Sequence, residues 1–243
     1  MCTVTYIPSG NHFFFTSSRD EHADRPIATF PEQHEIKRKH LLFPTDPEGG
    51  GSWIAVHESG NTAVLLNGAT KVHIPVPPYR KSRGLILLDI ISDKSPVKAF
   101  SDLDFNMIEP FTIILFENNN LYSCKWDGNI RSLESIDRFQ ARIWSSVTLF
   151  APETILKREK WFVSWIANNP HPSVADIIRF HLQGGDGDPV NDINMNRENK
   201  LFTNSISCIR HSMGSAAFRY VDLRIGITAD SFLTFHKMIS VQA

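Results

Sequence analysis

The chain has 243 residues, of which 42% are hydrophobic and 21% charged, a globular composition that excludes a disordered tail, a collagen and a coiled coil. Twenty-five Lys and Arg face 26 Asp and Glu for a net charge of −1, and the basic residues are scattered apart from Lys37-Arg38-Lys39, so a nucleic-acid binder is not indicated. The length suits a single domain spanning residues 1–243, with a core of sandwich size. Apolar stretches such as Leu85 to Ile91 fall far short of the roughly 20 residues of a membrane span, and residues 1–20 lack a secretory pattern. Cys2, Cys124 and Cys208 are odd in number and widely spaced, which fits neither a disulfide framework nor a metal site. A cytoplasmic protein is expected, with no metal and no cofactor.

Cys2 to Ile7 and His12 to Ser17 read as two strands around Pro8-Ser9-Gly10-Asn11. Three consecutive phenylalanines, Phe13 to Phe15, suit a strand covered on both faces. Residues 23–51, with four prolines and Gly49-Gly50-Gly51, read as one long ordered loop. Trp53 to His57 and Thr62 to Leu66 form a second hairpin, and Arg83 to Ile91 a helix. Phe111 to Phe116, Leu121 to Trp126 and Asn129 to Leu133 make a meander, its second turn at Asp127-Gly128.

Pro152 opens a helix to Ala167, with Ile155, Leu156, Phe162, Val163 and Ile166 on its buried face. Ser173 and Asp176 cap a second helix that buries Val174, Ile177, Ile178 and Leu182. Residues 184–199 read as a mobile loop. Ser205 to His211 and Ser215 to Asp222 form a last hairpin, followed by a short terminal segment. The pattern of hairpins with inserted helices predicts an α+β fold with mainly antiparallel sheets.

Cys2 carries the most specific chemistry. If the initiator methionine is removed, one residue holds both a thiol and a free α-amine, which titrates near neutrality and can take the thiol proton. A turn centred on Gly10-Asn11 sets the hairpin register so that Cys2 faces Arg19, bringing Ser17 to Asp20 to the same end. Arg19 would lower the thiol pKa and hold a substrate oxygen, and Asp20 would orient the amine. Weaker candidates are set aside: Asp186, Asp188 and Asp192 fail the calcium-loop template, and His171 and His181 need no more than chance. Trp161 and Trp165 read as helix packing.

Met1-Cys2-Thr3, Ser18-Arg19-Asp20-Glu21, Gly50-Gly51-Ser52-Trp53-Ile54-Ala55, Leu66-Asn67 and Ser82-Arg83-Gly84 together resemble the NRDE, or transport and Golgi organisation, family. That family is similar to the N-terminal nucleophile hydrolases of the penicillin V acylase and bile salt hydrolase branch. The resemblance implies a four-layer αββα sandwich and a hydrolase of linear amides. It implies Cys2 as nucleophile, Arg19 and Asp20 as its supports, and Asn67 as an oxyanion donor. Ser18, which replaces the family's asparagine, with Glu21 and Trp53, are the candidate substrate contacts. The expected partner is a small-molecule amide or acyl ligand. The alternative that the family implies is a non-catalytic carrier or trafficking protein for an acyl-lipid or haem ligand on the same fold.

Overall fold

The structure is a computed structural model and describes residues 3–236. The opening hairpin consists of β1 (Thr3–Ser9) and β2 (His12–His22), turning at Gly10, whose φ of +59° needs no side chain. Thr3 stands opposite Ser18 and Ser9 opposite His12, the register expected from that turn. The long loop expected over 23–51 is corrected: it contains β3 (Glu32–Ile36) and β4 (Lys39–Phe43), joined through Lys37 and Arg38 at φ 53° and 61°. Two cationic residues in left-handed conformation form a tight hairpin turn without the Asn or Gly that would announce it.

β5 (Ile54–His57), β6 (Thr62–Asn67) and α1 (Arg83–Ile91) follow as expected, and α2 (Pro96–Asp102) is an addition. The meander is β7 (Phe111–Glu117), β8 (Asn120–Trp126) and β9 (Arg131–Ile136), the third strand starting later than its sequence suggested. A short β10 (Arg142–Ser145) precedes α3 (Pro152–Asn168) and α4 (Val174–Gln183); the Ser173–Asp176 capping box is present.

The segment read as a mobile loop, 184–199, is instead built into the fold. It contains β11 (Asn196–Arg197) and buries Ile193 and Met195. β12 (Leu201–Ser212) and β13 (Ser215–Asp222) form the expected hairpin. The terminal segment supplies a further strand, β14 (Ile227–Thr234).

Two seven-stranded antiparallel sheets result among the described residues. One has the order β10-β1-β2-β12-β13-β14 with β11 beside β12, and the other runs from β3 to β9 in sequence order. They face each other, with α1 and α2 packed outside the second and α3 and α4 outside the first, giving the four layers αββα. Alternation along β2 explains the phenylalanine run. Phe13 and Phe15 enter the core between the sheets with Val4 and Tyr6, while Phe14 joins Ile7, Phe162 and Ile177 under the outer helices. Burying each ring contributes roughly 2–3 kcal/mol.

The face expected for α3 needs correction: Leu156 and Val163 are exposed, and the helix is seated by Phe162 and by fully buried Arg158. The helix lies over the short edge strand β10, so only a narrow stripe of it is covered. No helix among the described residues is long and apolar enough to cross a membrane.

Candidate active site

Two of the sequence motifs meet at one wall. Ser82 caps α1, its hydroxyl accepting the Leu85 N–H and donating to the Gly49 carbonyl at 3.0 Å. Gly51 and Gly84 pack so closely that a Cβ on Gly51 would lie 2.3 Å from the Gly84 carbonyl carbon. The glycines are thus required by backbone contact, and this contact brings the start of α1 against the loop that leads into β5.

The loop between β4 and that wall is organised by Asp46. Its Oδ1 accepts the N–H groups of Glu48 and Gly49, and its Oδ2 accepts from Arg19 at 3.0 Å and Arg25 at 2.9 Å. Burial works against the Asp46 carboxylate but is outweighed by the hydrogen bonds from Arg25 and Gly49 and the charges of both arginines. Asp46 is therefore held below the ordinary carboxylate range.

Arg19 is only 3% exposed. Its guanidinium lies 4.9 Å from the centre of the Trp53 ring, in cation–π contact, with Glu21 3.9 Å away on the other side. Trp53 Nε1 is buried and has no hydrogen-bond partner among the described residues. Arg19, Glu21, Arg25, Asp46, Trp53 and Asn67, with the first residues of α1, enclose a cavity of about 220 Å³. Asn67 ends β6; its carbonyl accepts the Ser146 hydroxyl at 2.8 Å, and Gly68, at φ +79°, turns the chain away.

The other face of the same hairpin carries a second polar layer. Ser18 Oγ contacts His181 Nδ1 at 2.8 Å, and Thr5 Oγ1 contacts His181 Nε2 at 2.9 Å. The His181 ring is fully buried; burial, aided by the Arg158 charge, pushes its pKa down to about 3, so it is neutral and one nitrogen donates while the other accepts. Arg158 donates to Thr3 Oγ1 at 2.7 Å and to the carbonyls of Asn191 and Asp192, and lies over the Phe150 ring. Asp20 Oδ1 accepts the Thr203 hydroxyl at 2.6 Å on this side.

Strand alternation therefore divides the candidate residues. Arg19, Glu21, Trp53 and Asn67 line one cavity, while Ser18 and Asp20 point into the helix-side layer. Cys2 lies outside the described residues. The sequence reading missed Asp46, Arg25 and Arg158, and it set His181 aside. Arg158 was detectable as a charged residue in the stripe that contains Ile155 and Phe162, and Asp46 as the start of an Asp-Pro-Glu-Gly turn.

A family model described as Transport and Golgi organisation 2 matches residues 1–183. No curated protein matches the chain. Among solved structures, a variant of conjugated bile acid hydrolase from Clostridium perfringens is similar with a TM-score of 0.62 at 10% identity, covering 96% of each chain. A second variant of that enzyme has a TM-score of 0.59 at 10% identity, over 100% of this chain and 99% of the other. The N-acylethanolamine-hydrolyzing acid amidase orthologue of Caenorhabditis elegans gives 0.58 at 10% identity, covering 86% and 92%. At this identity the likeness establishes the shared N-terminal nucleophile hydrolase fold. Three-quarters of the chain, including every motif that builds the cavity, lies within the family match, so the chain belongs to the Transport and Golgi organisation 2 family.

Proposed function

We propose that this chain hydrolyses a small linear amide, with Cys2 as nucleophile once Met1 is removed. The observation that carries the reading is the alternation of β1. Thr3 and Thr5 face the outer helices and Val4 faces the opposite sheet, an alternation that supports a nucleophile sharing the side of Arg19 and Trp53. The observed pairing of Thr3 with Ser18 supports the register in which Cys2 would face Arg19.

In this reading the α-amine of Cys2 takes the thiol proton, and the sulfur attacks the amide carbon. The oxyanion is held by the Asn67 side-chain amide, and the amine departs carrying the transferred proton. Water then adds to the thioester, the carbon–sulfur bond breaks, and the thiol is restored as the acid leaves. Arg19 favours the thiolate, while Asp20, fixed by Thr203, orients the amine. Glu21 and Trp53 contact substrate, and Ser18, through His181, supports the strand from behind.

Intact-mass analysis of the purified chain with a β-lactam or activated-ester probe tests the proposal. A single acyl adduct on a chain lacking Met1, absent from Cys2→Ala, is the expected result. Equal labelling of the variant would overturn it. The carrier alternative predicts tight acyl-thioester or haem binding that survives loss of Cys2, with no turnover.

A further inference from the structure

The loop of residues 69–82, between β6 and α1, is held at its base and exposed along its middle. Just before it, Gly68 donates its N–H to the Pro110 carbonyl at 3.0 Å, and its own carbonyl accepts the Thr112 hydroxyl at 2.9 Å. His73 Nε2 lies 3.1 Å from Glu109 Oε1, the Arg80 N–H donates to the Met107 carbonyl at 2.9 Å, and Ser82 caps α1. Between these anchors Val72, Ile74 and Val76 are 72%, 85% and 74% exposed. An anchored loop thus presents three aliphatic side chains at alternate positions to solvent, and half-exposed Met107, bonded to Arg80, extends the patch.

The polar groups of the loop suit contact with hydrocarbon. Pro75, Pro77 and Pro78 carry no N–H, and the Val76 N–H donates to the Tyr79 hydroxyl at 2.8 Å. Only Ile74, among residues 74–78, is left to bring a free backbone donor out of water, and such donors are what makes irregular backbone costly in lipid. The same lack of donors leaves little for a protein partner that adds a strand. No Asp or Glu occurs from residue 59 to residue 88, whereas Lys71, Arg80, Lys81 and Arg83 do. Their counter-charges come from outside the loop: Asp104 pairs with Arg80, Asp89 with Lys81 and Glu109 with Arg83, while Asp127 feels the Lys71 charge. With the cations largely balanced, the aliphatic side chains supply the main attraction, and the loop itself brings no carboxylate against a phosphate layer.

We propose that residues 71–80 dock the protein on a phospholipid bilayer. Val72, Ile74 and Val76 enter the boundary between headgroups and acyl chains, and Lys71 and Arg80 stay at the level of the phosphates. Aliphatic side chains that stand out from a loop suit a fluid layer, which need not match their shape. The loop leaves β6 after Asn67 and returns at Ser82 and Arg83, and all three of these residues line the arginine cavity. Docking therefore sets that cavity at the lipid surface, within reach of a ligand dissolved in the bilayer. The assignment does not require Cys2 to react, so it stands apart from the hydrolase reading.

Flotation of the full chain with phosphatidylcholine vesicles containing about a quarter phosphatidylserine tests the proposal. The wild type is expected to float, and the triple variant Val72→Ser, Ile74→Ser, Val76→Ser to bind about tenfold less at equal lipid. Leu156→Ser with Val163→Ser, which removes two exposed aliphatic side chains from α3, should leave binding within about twofold of wild type. A second readout needs no loss of function. In a Cys2→Ala background, where Cys124 and Cys208 are buried, an environment-sensitive dye on Ile74→Cys should shift its emission to the blue when vesicles are added, and the same dye on Leu156→Cys should not. A wild-type chain that stays with the lipid-free fraction, an equal loss in the α3 variant, or a dye at position 74 that does not respond would overturn the proposal. A dimer seen by light scattering that the triple variant makes monomeric, with no flotation, would assign the patch to a second copy of the chain and overturn it equally.

Discussion

The two faces of the opening hairpin use polar residues in opposite ways. On the helix side, Thr3, Thr5 and Ser18 are joined to Arg158 and His181 by hydrogen bonds of 2.7–2.9 Å within a fully buried layer. On the cavity side, Arg19, Trp53 and Asn67 border open space, and the Trp53 N–H has no partner among the described residues. One face spends its hydrogen-bonding capacity on holding the strand in place; the other borders a cavity, with Arg19 tied to Asp46 and the Trp53 N–H buried without a partner among the described residues. The nucleophile proposed for the start of that strand would need a fixed position as well as a charged surrounding.

The comparison is broken most directly at Arg158. Arg158→Met should destabilise the chain by roughly 3 kcal/mol or more, because charge-assisted hydrogen bonds to Thr3 and to two carbonyls are lost in a buried site. A urea titration measures this, and a loss below about 1 kcal/mol would mean that the layer does not hold the strand. Gly51→Ala comes next, at about 2 kcal/mol, because the added methyl meets backbone 2.3 Å away; labelling of Cys2 should slow with it as the cavity wall shifts.

The helix-side layer also predicts an acid dependence. His181 has its pKa lowered to about 3 in the folded chain against an ordinary value near 6.5, so between these values the unfolded chain binds a proton that the folded chain does not. Its contribution is complete above pH 6.5 and is lost as pH falls towards 3, giving about 2 kcal/mol of lost stability between pH 7 and 5. His181→Asn should flatten that slope; an unchanged slope would place the acid sensitivity elsewhere. His211, lowered to about 4 by burial, adds a contribution of the same sign.

The smallest effect is expected on the cavity face. Trp53→Phe keeps a ring beneath Arg19 and removes an N–H without a partner, so stability should fall by only about 1 kcal/mol from lost packing. Acylation of Cys2 by the activated-ester probe should slow several-fold if that N–H binds substrate. A stability loss as large as that of Arg158→Met would erase the contrast between the faces.

Much of the framework was legible from residue order. Gly10-Asn11 and Asp127-Gly128 marked turns by their tolerance of positive φ, and Ser173 with Asp176 marked a helix start. The hairpin at Lys37-Arg38 was not legible, because its left-handed backbone is imposed on residues with no preference for it. The fold of 184–199 was hidden for another reason. Its glycines and asparagines signal a loop, and what holds it is Arg158 from another element, bonded to the carbonyls of Asn191 and Asp192. Arg19, Glu21, Trp53 and Asn67 were legible as cavity residues through their motifs, whereas the orientation of Ser18 away from the cavity follows from strand alternation.

The sequence by itself determined the hairpins whose turns carry Gly or Asn, the register of the opening one, the Ser173 cap and the placement of Arg19 at the end of the opening ribbon, since each depends on contacts a few residues apart or on simple alternation. Tertiary structure alone decided that Asp46 would bridge Arg19 and Arg25 and that Arg158 would reach Thr3, 155 residues away. The physical reason is that long-range polar partners are selected by which buried groups the packed layers bring within bonding distance, and no local preference encodes that choice.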